Sequence, residues 1–510
     1  MLLHEWLETH ARERPSSVAL VCDCDRYTYR DIDERAEHLA ATLQAHGLRR
    51  GDRIAIYMDN CAEAVISIFA ALKAGAVFMP VNPQTKADKL TYLLNDSGAR
   101  ALLSHGSLQE IVAAAARNAT NLVALIMAQP TSPTVAGHTV VTFAAATSAE
   151  ASSFQVPPTI DQDLASIIYT SGSTGEPKGV MLSHLNMTSA ATSISTYLGL
   201  RHDDIIFNVL PLAFDYGLYQ LLMASRVGAT LVLHRSLAFP IKILEAMARE
   251  RITVLPFVPT AFSMVLNMSS LKSFDLSALR IVTNTAAALS EAHIRAIRAA
   301  FPQARLFSMY GLTECKRVTY LPPEQLDIRP MSVGRGMPNE EVWLVDENGQ
   351  RLPNGSVGEL VVRGSNVMRG YWNKPEETAA RLKPGEIPGE RVLYSGDIFR
   401  TDAEGYLYFV ARKDDIIKSR GEKVSPREVE NVLYQIEGVL EAAVIGVPDP
   451  VLGQAVKAFL VLKPGHATTE REVIRYCLAH LENFMAPKHV EFVPQLPRTD
   501  TGKISKRGLS

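Results

Sequence analysis

The chain has 510 residues, too many for one ordinary hydrophobic core, so its length implies two or more domains. Hydrophobic residues make up 47% and charged residues 21%, and a formal net charge of -2 gives no reason to expect nucleic acid or an anionic membrane as partner. No apolar run approaches bilayer length, so no membrane span is expected, and the opening Met-Leu-Leu-His-Glu-Trp-Leu-Glu lacks the apolar core of a signal peptide.

From Val18 to about Pro83, short apolar strands alternate with helical periodicity. Residues 26–31 read as a strand entering a helix, 51–57 as a turn and strand, 62–73 as a helix closed by Gly75, and 77–81 as the next strand. Such alternation implies a largely parallel sheet covered by helices. Residues 127–160 are rich in Pro, Ser, Thr and Ala and read as loops and an irregular crossing segment. Residues 164–168 read as a buried strand, 227–233 and 252–255 as further strands, and 242–250 as a helix. Beyond about residue 350 the pattern changes: 358–363 and 404–410 read as strands of an antiparallel sheet. A helix opening at Pro426, strands over 442–447 and 455–462, and a helix over 471–481 complete a small α+β domain.

The five cysteines (Cys22, Cys24, Cys61, Cys315 and Cys477) are few and scattered, which suits a reducing compartment, and a cytoplasmic location is expected. Cys22 and Cys24 have the spacing of a metal half-site, but no second pair lies nearby, and two strand residues are the simpler reading.

The most informative stretch is Tyr169-Thr-Ser-Gly-Ser-Thr-Gly-Glu-Pro-Lys-Gly-Val180, followed by Ser183 or His184 as a helix start. Its small residues admit close backbone approach, and its N–H groups and hydroxyls suit phosphate oxygens, with Lys178 adding a point charge. It fits neither the Walker loop nor the dinucleotide glycine pattern, and composition alone allows a plain surface loop. Taken with the motifs that follow it in order, it resembles the signature of the AMP-forming adenylating superfamily. That family includes acyl-CoA synthetases, adenylating enzymes of non-ribosomal peptide synthesis, and luciferases. The resemblance covers nearly the whole chain and is nearest to a stand-alone amino-acid-activating member.

The resemblance implies an α/β fold. A large N-terminal domain, residues 1–412, carries layered, mostly parallel sheets and a small β-subdomain; a mobile α+β domain, 413–510, follows and turns about a hinge at Asp414. ATP and Mg2+ are the implied cofactors. Thr170, Ser171, Gly172, Ser173, Thr174, Gly175 and Lys178 match the phosphate loop, with Thr170 among the catalytic positions. In Tyr310-Gly-Leu-Thr-Glu314, the resemblance sets Tyr310 against adenine, Thr313 at phosphate and Glu314 at magnesium, a role suited to a carboxylate. Asp397 and Arg412 match ribose contacts, and Lys503 matches the terminal catalytic lysine, whose ammonium can bridge the substrate carboxylate and the α-phosphate.

Phe214, Asp215, Tyr219 and Arg317 match positions beside the acyl pocket. A carboxylate buried there is costly unless a cation pairs with it, so Asp215 implies a substrate bearing an ammonium or iminium group, with a structural turn or cap residue as the alternative. Arg317 has three readings: contact with the substrate carboxylate, pairing with Asp215, or exposure to solvent. The expected activity is adenylation of a small amino acid, with pyrophosphate released and the acyl group passed to the phosphopantetheine of a separate carrier protein. The alternative is a fatty- or aryl-acyl-CoA ligase that uses CoA, and a nucleotide-binding regulatory protein is the rival from another class.

Overall fold

A computed structural model describes the chain apart from residues 149–153, 172–176, 286–288, 290, 420–421, 450–451, 482, 500–503 and 507. The chain divides into two units. The first takes Met1–Gln325, Gly336–Glu341 and Arg363–Leu393; the second takes Leu326–Arg335, Val342–Val362 and Tyr394–Ser510.

Two large sheets form the first unit. One runs Thr319–Leu321, Arg305–Tyr310, Ile281–Asn284, Val254–Phe257, Ile205–Asn208, Thr230–Leu233, Val18–Cys22 and Asp25–Thr28, parallel except at its two ends. The other runs Gly370–Tyr371, Pro177–Ser183, Leu164–Ser171, Val77–Val81, Arg53–Tyr57, Ala101–His105, Ala124–Ala128, His138–Thr142 and Thr134–Val135. Its centre is parallel, and its strands carry apolar runs because helices cover them. The helix Ala62–Lys73 is buried except at Glu63 and stops where Gly75 adopts φ +66°. Ser183 caps the helix His184–Leu198 by accepting from the Asn186 N–H, and Asn186 returns the bond.

Two stretches differ from the sequence reading. Residues 124–146 hold three strands and a short helix rather than irregular chain. His138–Thr142 lies near the sheet edge and buries only Val140, so a polar composition suffices. The glycine-rich stretch does not run from strand to loop to helix. Pro177–Ser183 is itself a strand, antiparallel to Leu164–Ser171, with Lys178 opposite Thr170.

In the second unit, Leu407–Arg412 pairs antiparallel with the strand that holds Asp397, and register sets Asp397 opposite Arg412. The helix Pro426–Leu433 packs on the long hairpin Val439–Asp449 and Gly453–Leu462, with Val429, Leu433, Val444, Val456 and Leu460 in the core. The helix Glu470–His480 adds Val473 and Cys477 to it. The unit is thus α+β.

Candidate active site

The hairpin Leu164–Ser171 and Pro177–Ser183 brings Thr170 and Lys178 together; the Thr170 hydroxyl lies 3.5 Å from the Lys178 carbonyl. Gly179 is required beside them. A Cβ there would come within 2.7 Å of Ile167 Cγ2 and 3.3 Å of Trp372 Cβ. Gly172, Ser173, Thr174 and Gly175 lie outside the described residues, as does Lys503.

Lys178 Nζ stands 5.6 Å from the centre of the Tyr371 ring. The Tyr371 hydroxyl donates to Glu314 Oε1 at 2.6 Å. Burial, and then the negative charge of Glu314, push the Tyr371 phenol well up, so its proton stays available for that bond. One aromatic side chain thus links the lysine of the first motif to the carboxylate of the second. Sequence reasoning missed Tyr371, whose signal was the Gly370-Tyr-Trp372 aromatic pair just past a basic residue.

Glu314 sits in a sharp turn that follows the strand Arg305–Tyr310. At Gly311 the returning chain passes so close that a Cβ would meet Lys316 O at 2.2 Å and Arg317 Cα at 2.9 Å. Met368 N–H donates to Glu314 O at 2.7 Å and fixes the other side. Tyr310 ends the strand, its carbonyl accepting from Val318 N–H, and Thr313 is half-buried in the turn.

At the acyl-pocket positions the structure bears on two of the sequence readings. Asp215 is the first residue of the helix Asp215–Val227, preceded by Phe214, whose ring stands edge-on to Tyr216 at 6.5 Å. The cation beside Asp215 belongs to the chain: Lys316 Nζ lies 3.9 Å from Asp215 Oδ2 and donates to the Asp215 carbonyl at 2.9 Å. The same ammonium stands 4.7 Å from the Tyr219 ring centre and 5.2 Å from that of Tyr216. A substrate ammonium is therefore not needed to offset Asp215. Lys316 escaped notice because its direction depends on a left-handed backbone, φ +67°, which no neighbouring residue type announces.

For Arg317 the structure narrows the three readings to one. It is 1% exposed, so it does not face solvent, and Lys316 takes the place at Asp215. Its Nη1 donates to the Thr285 hydroxyl, and its guanidinium stands 5.5 Å from the Tyr216 ring centre. Burial raises the Tyr219 phenol well above its ordinary value, and the charge of Asp215 adds to this. It also raises the Cys315 thiol, which leaves Cys315 an inert packed thiol rather than a nucleophile.

In the second unit Arg412 Nε lies 3.8 Å from Asp397 Oδ1, and Arg412 is largely exposed while Asp397 is buried. Lys413 Nζ pairs with Glu359 Oε2 at 2.8 Å, and Glu359 Oε1 accepts from Gly396 N–H. Gly396 adopts φ +71°, which suits a glycine ahead of Asp397. The backbone of Asp414 lies in the turn Lys413–Asp415.

A single carboxylate fits Mg2+, which favours oxygen donors and keeps several waters alongside phosphate oxygens. Glu314 offers that carboxylate, and among the described residues no group of three or more His, Cys, Asp or Glu forms a closed metal cage.

The layered α/β fold and the Lys178–Tyr371–Glu314 cluster define an adenylate-forming enzyme. The chain belongs to the AMP-binding enzyme family, which it matches over residues 7–372, with the family's C-terminal domain matched over 428–503. It is similar to a long-chain-fatty-acid–CoA ligase of Bacillus subtilis, 31% identical over 99% of this chain and 94% of the relative. Among solved structures it resembles an anthranilate CoA ligase in complex with anthranoyl-AMP, with TM-score 0.89, 28% identity, and 99% and 95% of the two chains covered. It also resembles ATP-bound MatB from Rhodopseudomonas palustris, with TM-score 0.87, 30% identity, and 99% and 98% covered. The protein is an AMP-forming acid–thiol ligase that uses ATP and Mg2+. Among the described residues no helix is long and apolar enough to cross a membrane.

Proposed function

We propose that the protein joins an organic acid other than an amino acid, of the fatty or aryl class, to the thiol of coenzyme A through an acyl adenylate. The observation that carries this is Lys316 beside Asp215. A pocket whose carboxylate already has a cation gains nothing electrostatically from an ammonium on the substrate, and a second buried cation would have to be desolvated there. The names of the Bacillus subtilis fatty-acid–CoA ligase and the anthranilate CoA ligase support the same class.

In the proposed first step a carboxylate oxygen attacks the α-phosphorus of ATP and pyrophosphate leaves. Lys178 and residues 170–175 hold phosphate oxygens, Tyr310 lies against adenine, Thr313 contacts phosphate, and Asp397 and Arg412 receive the ribose. Glu314 would hold Mg2+, which when bound would supply charge to offset that on phosphate. The Tyr371 hydroxyl orients Glu314 for that role. Lys503 is proposed to bridge the reacting carboxylate and the α-phosphate. In the second step the thiol attacks the acyl carbon, the acyl–phosphate bond breaks and AMP leaves. A small domain spanning 413–510 is proposed to turn about Asp414 between the two steps, excluding water in the first and admitting the thiol in the second. No protein nucleophile is needed.

The amino-acid reading, with a separate carrier protein as thiol donor, retains Asp215 at the head of its helix in its favour. Acid-dependent exchange of labelled pyrophosphate into ATP separates the two. Exchange driven by fatty or aryl acids, with CoA thioester formed on adding CoA, supports the proposal. Exchange driven only by amino acids overturns it.

A further inference from the structure

Among the described residues Arg317 is the largest side chain with essentially no exposure, and it is a cation. Its identified partners are all neutral. Nη1 donates to the Thr285 hydroxyl, and the guanidinium faces the Tyr216 ring. Its charge also acts on the buried phenol of Tyr197 and opposes the upward push of burial there. Among the described residues its Nε–H has no hydrogen-bond partner. Among the described residues no carboxylate lies within 4.0 Å of the guanidinium, because Asp215, the nearest acid of the pocket in sequence logic, pairs with Lys316. Neutral hydroxyls and a ring face do not offset a full buried charge, and such a group without an anion is strongly unfavourable. A side chain held there with one donor directed at nothing is built to receive an anion.

We propose that Arg317 is the anchor for a second carboxylate on the substrate, so that the acid activated is a dicarboxylic acid. This inference rests on the ligase reading above and names its substrate class. The reacting carboxylate is a poor match for the anchor. The chain reverses between Gly311 and Arg317, with Glu314 in the turn and Arg317 Cα packed back against Gly311. Glu314 reaches outward to Tyr371 and, through it, to Lys178. Arg317 instead reaches Thr285, Tyr216 and Tyr197, contributed by the Ile281–Asn284 strand end and by the helices Asp215–Val227 and His184–Leu198. An anion at Arg317 is therefore set back from the phosphate-facing carboxylate, as the far end of the same substrate would be. Bidentate geometry suits the pairing, since guanidinium Nε and Nη donors match the two carboxylate oxygens.

The test is pyrophosphate exchange with the full chain against matched pairs: succinate, adipate, suberate and phthalate beside butyrate, hexanoate, octanoate and benzoate. The expected result is a kcat/KM for the best diacid about 100-fold above its matched monoacid, the scale of a desolvated charge pair. Arg317→Met should remove that preference, and Arg317→Lys should restore part of it. If the methionine variant does not fold, the wild-type ratio and the lysine variant decide. Monoacids equal to or better than their diacids, or a ratio unchanged in Arg317→Met, overturns the dicarboxylate inference and leaves the ligase standing. Exchange with no acid of either kind overturns both.

Discussion

Replacing Lys316 with methionine keeps most of the side-chain volume and removes the charge. The ammonium is 3% exposed, lies 3.9 Å from Asp215 Oδ2, donates to the Asp215 carbonyl and stands over two tyrosine rings at 4.7 and 5.2 Å. Breaking a buried pair by deleting one partner costs about 3–5 kcal/mol, and each ring contact adds about 0.5–1 kcal/mol. The 3.9 Å separation and the 12% exposure of Asp215 argue for the low end of the range. We expect Lys316→Met to destabilise the first unit by about 4 kcal/mol, the low end for the pair plus the two ring contacts. Asp215→Asn should cost about 2 kcal/mol, because it strands the lysine instead. The double variant should lose about 1–2 kcal/mol less than the sum, since neither charge is then left alone. Urea unfolding followed by tryptophan fluorescence, with limited proteolysis to resolve the two units, measures all three. Additivity of the two single changes to within about 0.5 kcal/mol would refute the pairing, and with it the reason for excluding an amino-acid substrate.

Tyr371→Phe deletes the hydroxyl that donates to Glu314 while leaving the ring under Lys178; kcat/KM in pyrophosphate exchange should fall about 10-fold with little change in the unfolding midpoint, and unaltered activity would show that Glu314 needs no orientation. Gly311→Ala sets a methyl 2.2 Å from Lys316 O, so the turn holding Glu314 must move; exchange activity should drop at least about 100-fold, and a crystal structure of the variant with an undisturbed turn would contradict this. His4 and His184 are buried edge-to-face, with burial lowering their pKa values to about 4 and about 3, and His184 Nδ1 accepts from Leu3 N–H. Both are depressed below the unfolded value, so the unfolded chain binds more protons and stability falls as pH drops from 6.5 toward 4, by up to about 1.4 kcal/mol per pH unit per histidine. Denaturation midpoints measured from pH 7 to pH 4.5 should show this slope, and His184→Asn should flatten it.

Local chemistry in the sequence determines much of this protein. Ser183 and Asn186 cap a helix wherever they meet one, and Gly75 ends the helix Ala62–Lys73 because it accepts a left-handed backbone. Apolar runs at strand length, separated by helical periodicity, imply the parallel sheets without any knowledge of their order. The order of the Thr170–Lys178, Tyr310–Glu314 and Ser395–Asp397 motifs is likewise legible, because each is short and contiguous. What the sequence left open are matters of partner and direction. Pro177–Ser183 has too many small residues to read as a strand, and it becomes one only by pairing with Leu164–Ser171. Tyr371 joins the active cluster from 57 residues beyond Glu314. Lys316 and Arg317 are adjacent cations in the sequence, indistinguishable by composition. The left-handed backbone at Lys316 turns one toward Asp215, and the packing of Tyr216, Tyr197 and Thr285 encloses the other without an acid. A charge's meaning depends on which groups surround it, and only the tertiary fold assembles those groups.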